Sequence, residues 1–554
     1  MKWTTLRHNG PSFSPPFEPK GFPIKVQGKP VSFNGNPDAE EMIYHWAARL
    51  QTQYVLDKVY QKNFWADLKK KLPADLVATR FPDDWDFTEY YNKIQIEKEK
   101  KKNRGKEEKE EEKAEKAARK EKFGVAIMDG KKIEIANYII EPPGIFMGRG
   151  KNPLRGRWKP RVTSEDVTLN VGENAPNPAG KWGNIVHNHD AMWFAFWFDK
   201  LTGNYKYVMP SPKAYIRQTN DVEKFEKAMK LIDKMPEAID FIDSRMDSKF
   251  DRETAVVCSL IARLGFRVGD EKDEDEADTY GATTLLRKHI EFSDDNEHYT
   301  YFKFLGKDSI LYSDYAELPA KTVANIKKLM ENKKPDDQVF ANVTSKDVNE
   351  LLGQFEPCLT AKVFRTALAT AIMRNYLNEH KDKNLSVNEK IKIFKEANML
   401  VAKKLNHRKT PTEAAKKGLK NKQAKLIDKK KLLKAYKEIS KKELSQALKE
   451  KQRKVANYKR KYKNSNLRGA IYRANKSYRH KKDMWAKRII RLEEQVEKLK
   501  LQTYLQKKSL DLNLGTSLAS YVSPRITFGW AKEVKLELKH IYTKANIEKY
   551  EWAK

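Results

Sequence analysis

The spacing of apolar positions changes several times along this chain, and each change marks a different kind of element. Residues 1–94 mix aromatic and polar positions, with turn signals at Pro15-Pro16 and Gly21-Phe22-Pro23. Residues 95–122 are nearly all Lys, Glu, Arg and Ala, and opposite charges three and four apart predict an exposed helix acting as a solvated spacer. Strand-like stretches follow over 123–212. There Met192–Phe198 and Tyr205–Met209 flank Leu201-Thr202-Gly203-Asn204, which predicts a hairpin. Residues 213–410 read as mainly helical with one strand pair around 290–312. Alternation before Gly306 predicts a half-buried strand that turns at that glycine.

Over 411–510 the period becomes helical and stays so. Leu444, Leu448, Val455, Tyr458 and Tyr462 form one set; Ile489, Leu492, Val496 and Leu499 form a second, with Asn464-Ser465-Asn466 as a breaker between them. This pattern predicts two long antiparallel helices, a coiled-coil arm. At a rise of about 1.5 Å per residue each would extend on the order of 60–75 Å. Residues 511–554 return to a globular mixture, with Pro524 and Trp530 close after Tyr521. A small tail placed after a long arm is expected to deliver a residue back to the main body.

Composition narrows the function. The 554 residues carry a net charge of +34, and 411–510 alone holds 33 Lys and Arg against nine Asp and Glu, a net +24. Such a balance points to a polyanionic partner, with nucleic acid ahead of an anionic membrane surface. Eleven Trp, 24 Tyr and 24 Phe argue against a wholly disordered basic protein. No apolar run nears the roughly 20 residues of a membrane helix; the longest is Ala191–Phe198. Met1-Lys2-Trp3-Thr4 opens no secretory segment. Cys258 and Cys358 are the only cysteines, with no C-x-x-C pattern, which argues against a disulfide framework and a cysteine zinc site.

Several sites are set aside. Gly148-Arg149-Gly150-Lys151 lacks the spacing of a nucleotide-binding P-loop. The acidic run Asp270–Asp278 lacks the ligand spacing and central glycine of a calcium loop. His187 and His189 have no third ligand and read as ordinary core or surface histidines. No metal and no cofactor is expected.

Five segments remain: Leu264-Gly265-Phe266-Arg267-Val268-Gly269-Asp270, Phe304-Leu305-Gly306-Lys307-Asp308-Ser309, Leu359-Thr360-Ala361-Lys362-Val363-Phe364-Arg365-Thr366, Leu405-Asn406-His407-Arg408, and Leu514-Gly515-Thr516-Ser517 through Tyr521 to Ser523-Pro524-Arg525. In order they offer Arg, Lys, Arg, His and Tyr. The sequence resembles the eukaryotic type IB topoisomerases, and the order of roles is shared more loosely with tyrosine recombinases. Gly10–Pro19 is similar to the entry to that family's core, and Glu141–Phe146 with Gly148-Arg149-Gly150 to its DNA-facing loop.

The resemblance implies an α+β multidomain, bilobed DNA clamp. A mixed α/β N-terminal cap lobe would face a mainly helical, tyrosine-recombinase-like catalytic lobe, with an antiparallel coiled-coil linker and a small helical C-terminal domain. The expected segments are 1–122 with the spacer 95–122, a β-rich DNA-binding part 123–212, a catalytic core 213–410, the linker 411–510, and 511–554 with the nucleophile. It further implies that Tyr521 attacks phosphorus, Arg267, Arg365 and His407 stabilise the phosphoryl oxygens, and Lys307 protonates the leaving 5′-oxygen. These types suit the tasks. Guanidinium forks match phosphate oxygens, an ammonium can act as general acid, and a cationic site favours a phenolate whose ordinary pKa is near 10.

Arg149, Lys159, Asp308 and Ser520 match family positions at or near the DNA around the cut. Two residues depart from the pattern: Met147 stands where the family often has a DNA-contacting arginine, and Ser520 where asparagine is usual, beside the site of camptothecin-type poisons. The family's charged leader with nuclear-targeting signals is not seen before the core, as expected of a viral, divergent or trimmed member; a cellular eukaryotic member would be nuclear. Duplex DNA is the expected partner, bound by a monomer, with no membrane. The rival within this chemistry is a recombinase or integrase-like strand transferase. Outside it stand an architectural DNA-binding protein and a membrane-surface protein, and neither accounts for the five segments.

Overall fold

The structure is a computed structural model. It describes all residues except 1, 34, 149, 270–278, 294, 295, 297, 358 and 462–464, with the side chains of 308, 465 and 466 also outside the description. The chain is mixed α+β and forms two compact units: Met1–Phe364 together with Lys544–Lys554, and Arg365–Thr543. Among the described residues no helix is long and apolar enough to cross a membrane.

The first unit begins with an aromatic core. Helix Pro37–Ala47 starts where Asn36 accepts from the Ala39 N–H and Pro37 presets the first turn. It buries Met42, Ile43 and Trp46 against Tyr60, Phe64 and Leu68 of helix Lys58–Leu68, with the Trp46 and Phe64 rings stacked 4.7 Å apart. The spacer is helical but divided, into Thr88–Lys102 and Lys106–Phe123. Gly105, a poor helix former, sits at the N-cap of the second helix, which buries none of its residues.

A second core gathers under small sheets. Ala195–Asp199 and Asn204–Val208 pair antiparallel from Ala195↔Val208 to Asp199↔Asn204, with Gly203 at φ +64 in the turn. The hairpin read from the sequence is present, and its first strand starts at Ala195 rather than Met192. The strand Tyr299–Gly306 pairs with Ile310–Glu317, and a third strand, Ile290–Phe292, lies on its other side. Thr300, Phe302, Phe304 and Gly306 face inward while Tyr299, Lys303 and Leu305 face solvent, the predicted alternation. Helix Arg252–Leu264 is almost wholly buried and stops at Gly265, whose φ of +69 suits glycine. The acidic run Asp270–Asp278 lies outside the described residues. The last helix, Lys544–Lys549, belongs to this unit: Lys549 pairs with Asp221 at 3.2 Å, and Tyr550 is fully buried beside Phe225.

The second unit holds most of helix Ala361–Asn378, then Val387–Lys404, two long helices, and the short helices Leu514–Ser520 and Pro524–Glu533. Val387–Lys404 opens with a reciprocal cap, the Glu389 N–H donating to Ser386 Oγ and the Ser386 N–H to the Glu389 carboxylate. The long helices span Glu413–Lys461 and Ser465–Lys508 and run antiparallel: Gln506 reaches the Ala415 carbonyl, Gln495 meets Lys429, and Glu443 takes both Lys481 and the Trp485 indole N–H.

Candidate active site

The site begins with how a helix ends. Leu405-Asn406 closes helix Val387–Lys404 with Asn406 in the left-handed region at φ +52. The Asn406 N–H donates to the Lys403 carbonyl and the His407 N–H to Ala402, at 3.1 and 2.8 Å, the paired bonds of a Schellman cap. Asparagine is the residue that tolerates this conformation best after glycine. The cap turns His407 off the helix axis and buries it.

The tail is pinned to that turn. The Asn513 N–H donates to the His407 carbonyl at 2.7 Å and Lys409 N–H to Asp511 at 2.8 Å, while Arg408 pairs with Asp511 at 2.7 Å. Asn513 caps helix Leu514–Ser520, and the Tyr521 N–H ends it by donating to the Ser517 carbonyl at 3.0 Å. The phenol ring of Tyr521 then lies 4.9 Å from the His407 ring. On the same ring, the Arg365 guanidinium carbon sits 5.2 Å from the centroid. Arg365 is itself buried and donates to the Leu405 carbonyl at the end of the capped helix, 3.2 Å away. Five residues further along its helix, Thr370 Oγ1 donates to the Tyr521 carbonyl and accepts from Ser523 N–H, both at 3.1 Å. A phenol, an imidazole and a guanidinium are thus brought together within one unit.

Arg267 and Lys307 lie in the other unit, and they share a frame there. Phe266, next to Arg267, packs edge-on against Phe302, Phe304 and Tyr312 at 5.0–5.3 Å. Those rings belong to the strands on either side of the Lys307–Ser309 turn. The Ala282 N–H holds the Arg267 carbonyl at 2.8 Å and Tyr280 N–H the Leu305 carbonyl at 2.6 Å. Lys307 is exposed at the tip. Against that turn lies Gly150, at φ +58; a Cβ there would stand 2.3 Å from Ser309 Oγ, so only glycine fits. The far end of this loop is anchored by two guanidinium–carboxylate forks, Arg155 with Asp57 and Arg157 with Asp67, each at 2.7 and 3.1 Å.

Of the remaining expected residues, Arg149 and the Asp308 side chain lie outside the described residues. Ser520 is half-buried at the end of its helix. Lys159 is buried, with its ammonium held by Glu141 and, at 3.0 Å, by Asp199. Burial opposes its charge, but these two hydrogen bonds outweigh it and raise its pKa. Met147 accepts a contact from Arg49 Nε at 3.4 Å. Among the described residues no cluster of His, Cys, Asp and Glu could hold a metal ion. Sequence reasoning did not give roles to Ser517 and Thr370, both fully buried and both hydrogen-bonded to His407 or Tyr521.

Comparison with known proteins bears on what such an arrangement does. Three family models match in order: eukaryotic DNA topoisomerase I, DNA binding fragment, over residues 1–210; its catalytic core over 213–440; and the C-terminal topoisomerase domain over 493–554. Human DNA topoisomerase 1 is 32% identical over 569 residues, covering 100% of this chain and 71% of the human protein. The chain belongs to the eukaryotic DNA topoisomerase I family. DNA topoisomerase 1 alpha of Arabidopsis thaliana is 34% identical, again across 100% of the chain, which spans 58% of the plant protein. The Drosophila melanogaster DNA topoisomerase 1 is 31% identical, and the chain spans 54% of it. All five expected catalytic positions fall inside the segments matched by the topoisomerase core and C-terminal models.

Proposed function

We propose that this chain is a type IB DNA topoisomerase that relaxes supercoiled duplex DNA without ATP. The observation that carries the reading is the convergence of Tyr521, His407 and Arg365 on one spot. In the proposed step the Tyr521 oxygen attacks a backbone phosphorus in line and becomes its ester on the 3′ side. Arg365, His407 and Arg267 donate to the non-bridging oxygens, where charge builds in the transition state. Lys307 protonates the departing 5′-oxygen. The phosphotyrosyl ester conserves the energy of the broken bond, so the freed 5′-hydroxyl can attack it and restore the strand after the duplex has swivelled.

In the same reading, Arg149, Lys159, Asp308 and Ser520 lie along the bound duplex. The protein closes on DNA as a monomeric two-lobed clamp, and the helix pair forms a coiled coil over the downstream DNA. In a eukaryotic cell its place is the nucleus. The test is plasmid relaxation in EDTA without nucleotide, wild type against Tyr521→Phe. Relaxation by the wild type and none by the variant is expected; relaxation by Tyr521→Phe would overturn the reading.

A further inference from the structure

We propose that Ser517 is a positioning residue that fixes the His407 ring through its side chain and the Tyr521 backbone through its carbonyl, so that donor and nucleophile are set by one buried residue. The inference rests on the reading of Tyr521 as nucleophile and His407 as a donor to a phosphoryl oxygen.

Ser517 is fully buried, one helical turn before Tyr521. Its Oγ stands 2.8 Å from His407 Nδ1. Its carbonyl accepts from the N–H of Tyr521 and of Val522, both at 3.0 Å. Side chain and main chain of the same residue therefore hold two different groups. Tyr521 is held in addition by Thr370, whose hydroxyl donates to the Tyr521 carbonyl.

The chemistry of the pair matters as much as its geometry. An imidazole that donates through Nε2 while neutral needs Nδ1 to accept a proton from elsewhere. A serine hydroxyl can supply that proton. It can also turn and accept from Nδ1–H when the ring is charged, so the contact survives both protonation states. A carboxylate in its place would accept only, and would favour the imidazolium. Ser517 thus keeps Nδ1 occupied and leaves Nε2 to address the substrate, without forcing a charge on the ring.

The test is a double-mutant cycle on the full chain, read as single-turnover cleavage of a DNA substrate whose cut end cannot rejoin. Ser517→Ala is expected to slow cleavage about 10–100-fold, the scale of a misplaced reacting group, with DNA affinity unchanged. Ser517→Thr, which keeps the hydroxyl, is expected to recover most of the rate. In a His407→Ala background, Ser517→Ala should add less than about a threefold loss, because its partner is already gone. Should Ser517→Ala fail to fold, Ser517→Cys enters the same cycle, with a weak donor of similar size in place of the hydroxyl. A rate near wild type, or the same fold loss in both backgrounds, overturns the proposal. Tyr521→Phe, run alongside, separates the outcomes: cleavage by that variant would sink the functional reading itself, whereas an inactive Tyr521→Phe with an additive cycle sinks this inference alone.

Discussion

The surroundings of Tyr521 and the pair of long helices belong to the same unit, yet they are held in opposite ways. Around Tyr521 the polar residues are buried and each makes at least one hydrogen bond: Arg365, Thr370, His407, Ser517 and Ser523 are all at most 4% exposed. Buried polar groups tolerate little displacement, because an unmade hydrogen bond there costs about 1–3 kcal/mol. Along the helix pair the seam is thin. Ala470, Ala474, Trp485, Leu492, Val496 and Thr503 are buried on Ser465–Lys508, and Ser440 is the buried residue of Glu413–Lys461 among those described. Much of the rest is solvated, with exposed apolar residues such as Ile427 and Ile490 among surface ion pairs such as Lys437–Glu493 and Lys454–Glu450, which solvent screens. Accurate placement of reacting atoms calls for dense burial; reach over a polyanion calls only for a narrow apolar stripe and charge outside it.

The sharpest way to break the comparison is at the phenol. Tyr521→Phe removes one oxygen and should lower relaxation by at least about 10⁴-fold, while melting stays close to wild type because the ring still packs; a denaturant-trapped protein–DNA adduct should vanish with it. At the other extreme of exposure, deleting 413–508 and supplying 511–554 as a separate piece should leave the chemistry in place and flatten the dependence of log K on log salt. The slope should fall by about 0.9 for each phosphate the helices neutralise. An unchanged slope would mean the +24 of 411–510 does not touch DNA.

A smaller effect tests the seam. Trp485→Ala removes the largest buried side chain of the arm, its edge-to-face contact with Tyr436 at 5.8 Å, and the indole bond to Glu443. The expected loss is about 2–4 kcal/mol, confined to the arm: hydrogen exchange should quicken in 413–508 and stay slow in 514–533.

The smallest effect probes burial in the first unit. Burial, and then the Arg49 guanidinium, push the His45 imidazole down from 6.5 to about 4. On acidification the unfolded chain takes up this proton first, so stability is lost as pH falls from about 6.5 to 4 and is unaffected above that window. The loss is on the order of 1–3 kcal/mol. His45→Gln should lose less melting temperature than wild type between pH 7 and pH 4.5.

What the sequence disclosed follows the same division. Periodic elements were legible because their signal is local: alternation around Gly203 and Gly306 marked both hairpins, and helical spacing marked Glu413–Lys461 and Ser465–Lys508. The division of the spacer at Gly105 was also written locally, in Asn103-Arg104-Gly105, and was outweighed by the surrounding Lys and Glu. The site residues could be read only as a set, since no isolated arginine or tyrosine is distinctive in so charged a chain. Ser517 and Thr370 escaped notice because nothing local says where a buried hydroxyl points. The ion pair of Lys159 with Asp199 was not legible in the sequence either, since the two lie 40 residues apart and only the folded strands bring them together.

The first unit is built from both ends of the chain, so Arg365–Thr543 leaves it and returns to it. A protease scar anywhere in the arm would therefore not release the fragment bearing Tyr521. That fragment would stay fastened by the Arg408–Asp511 clasp on one side and by the buried Tyr550 anchor on the other. The break would show on a denaturing gel and go unseen on a sizing column.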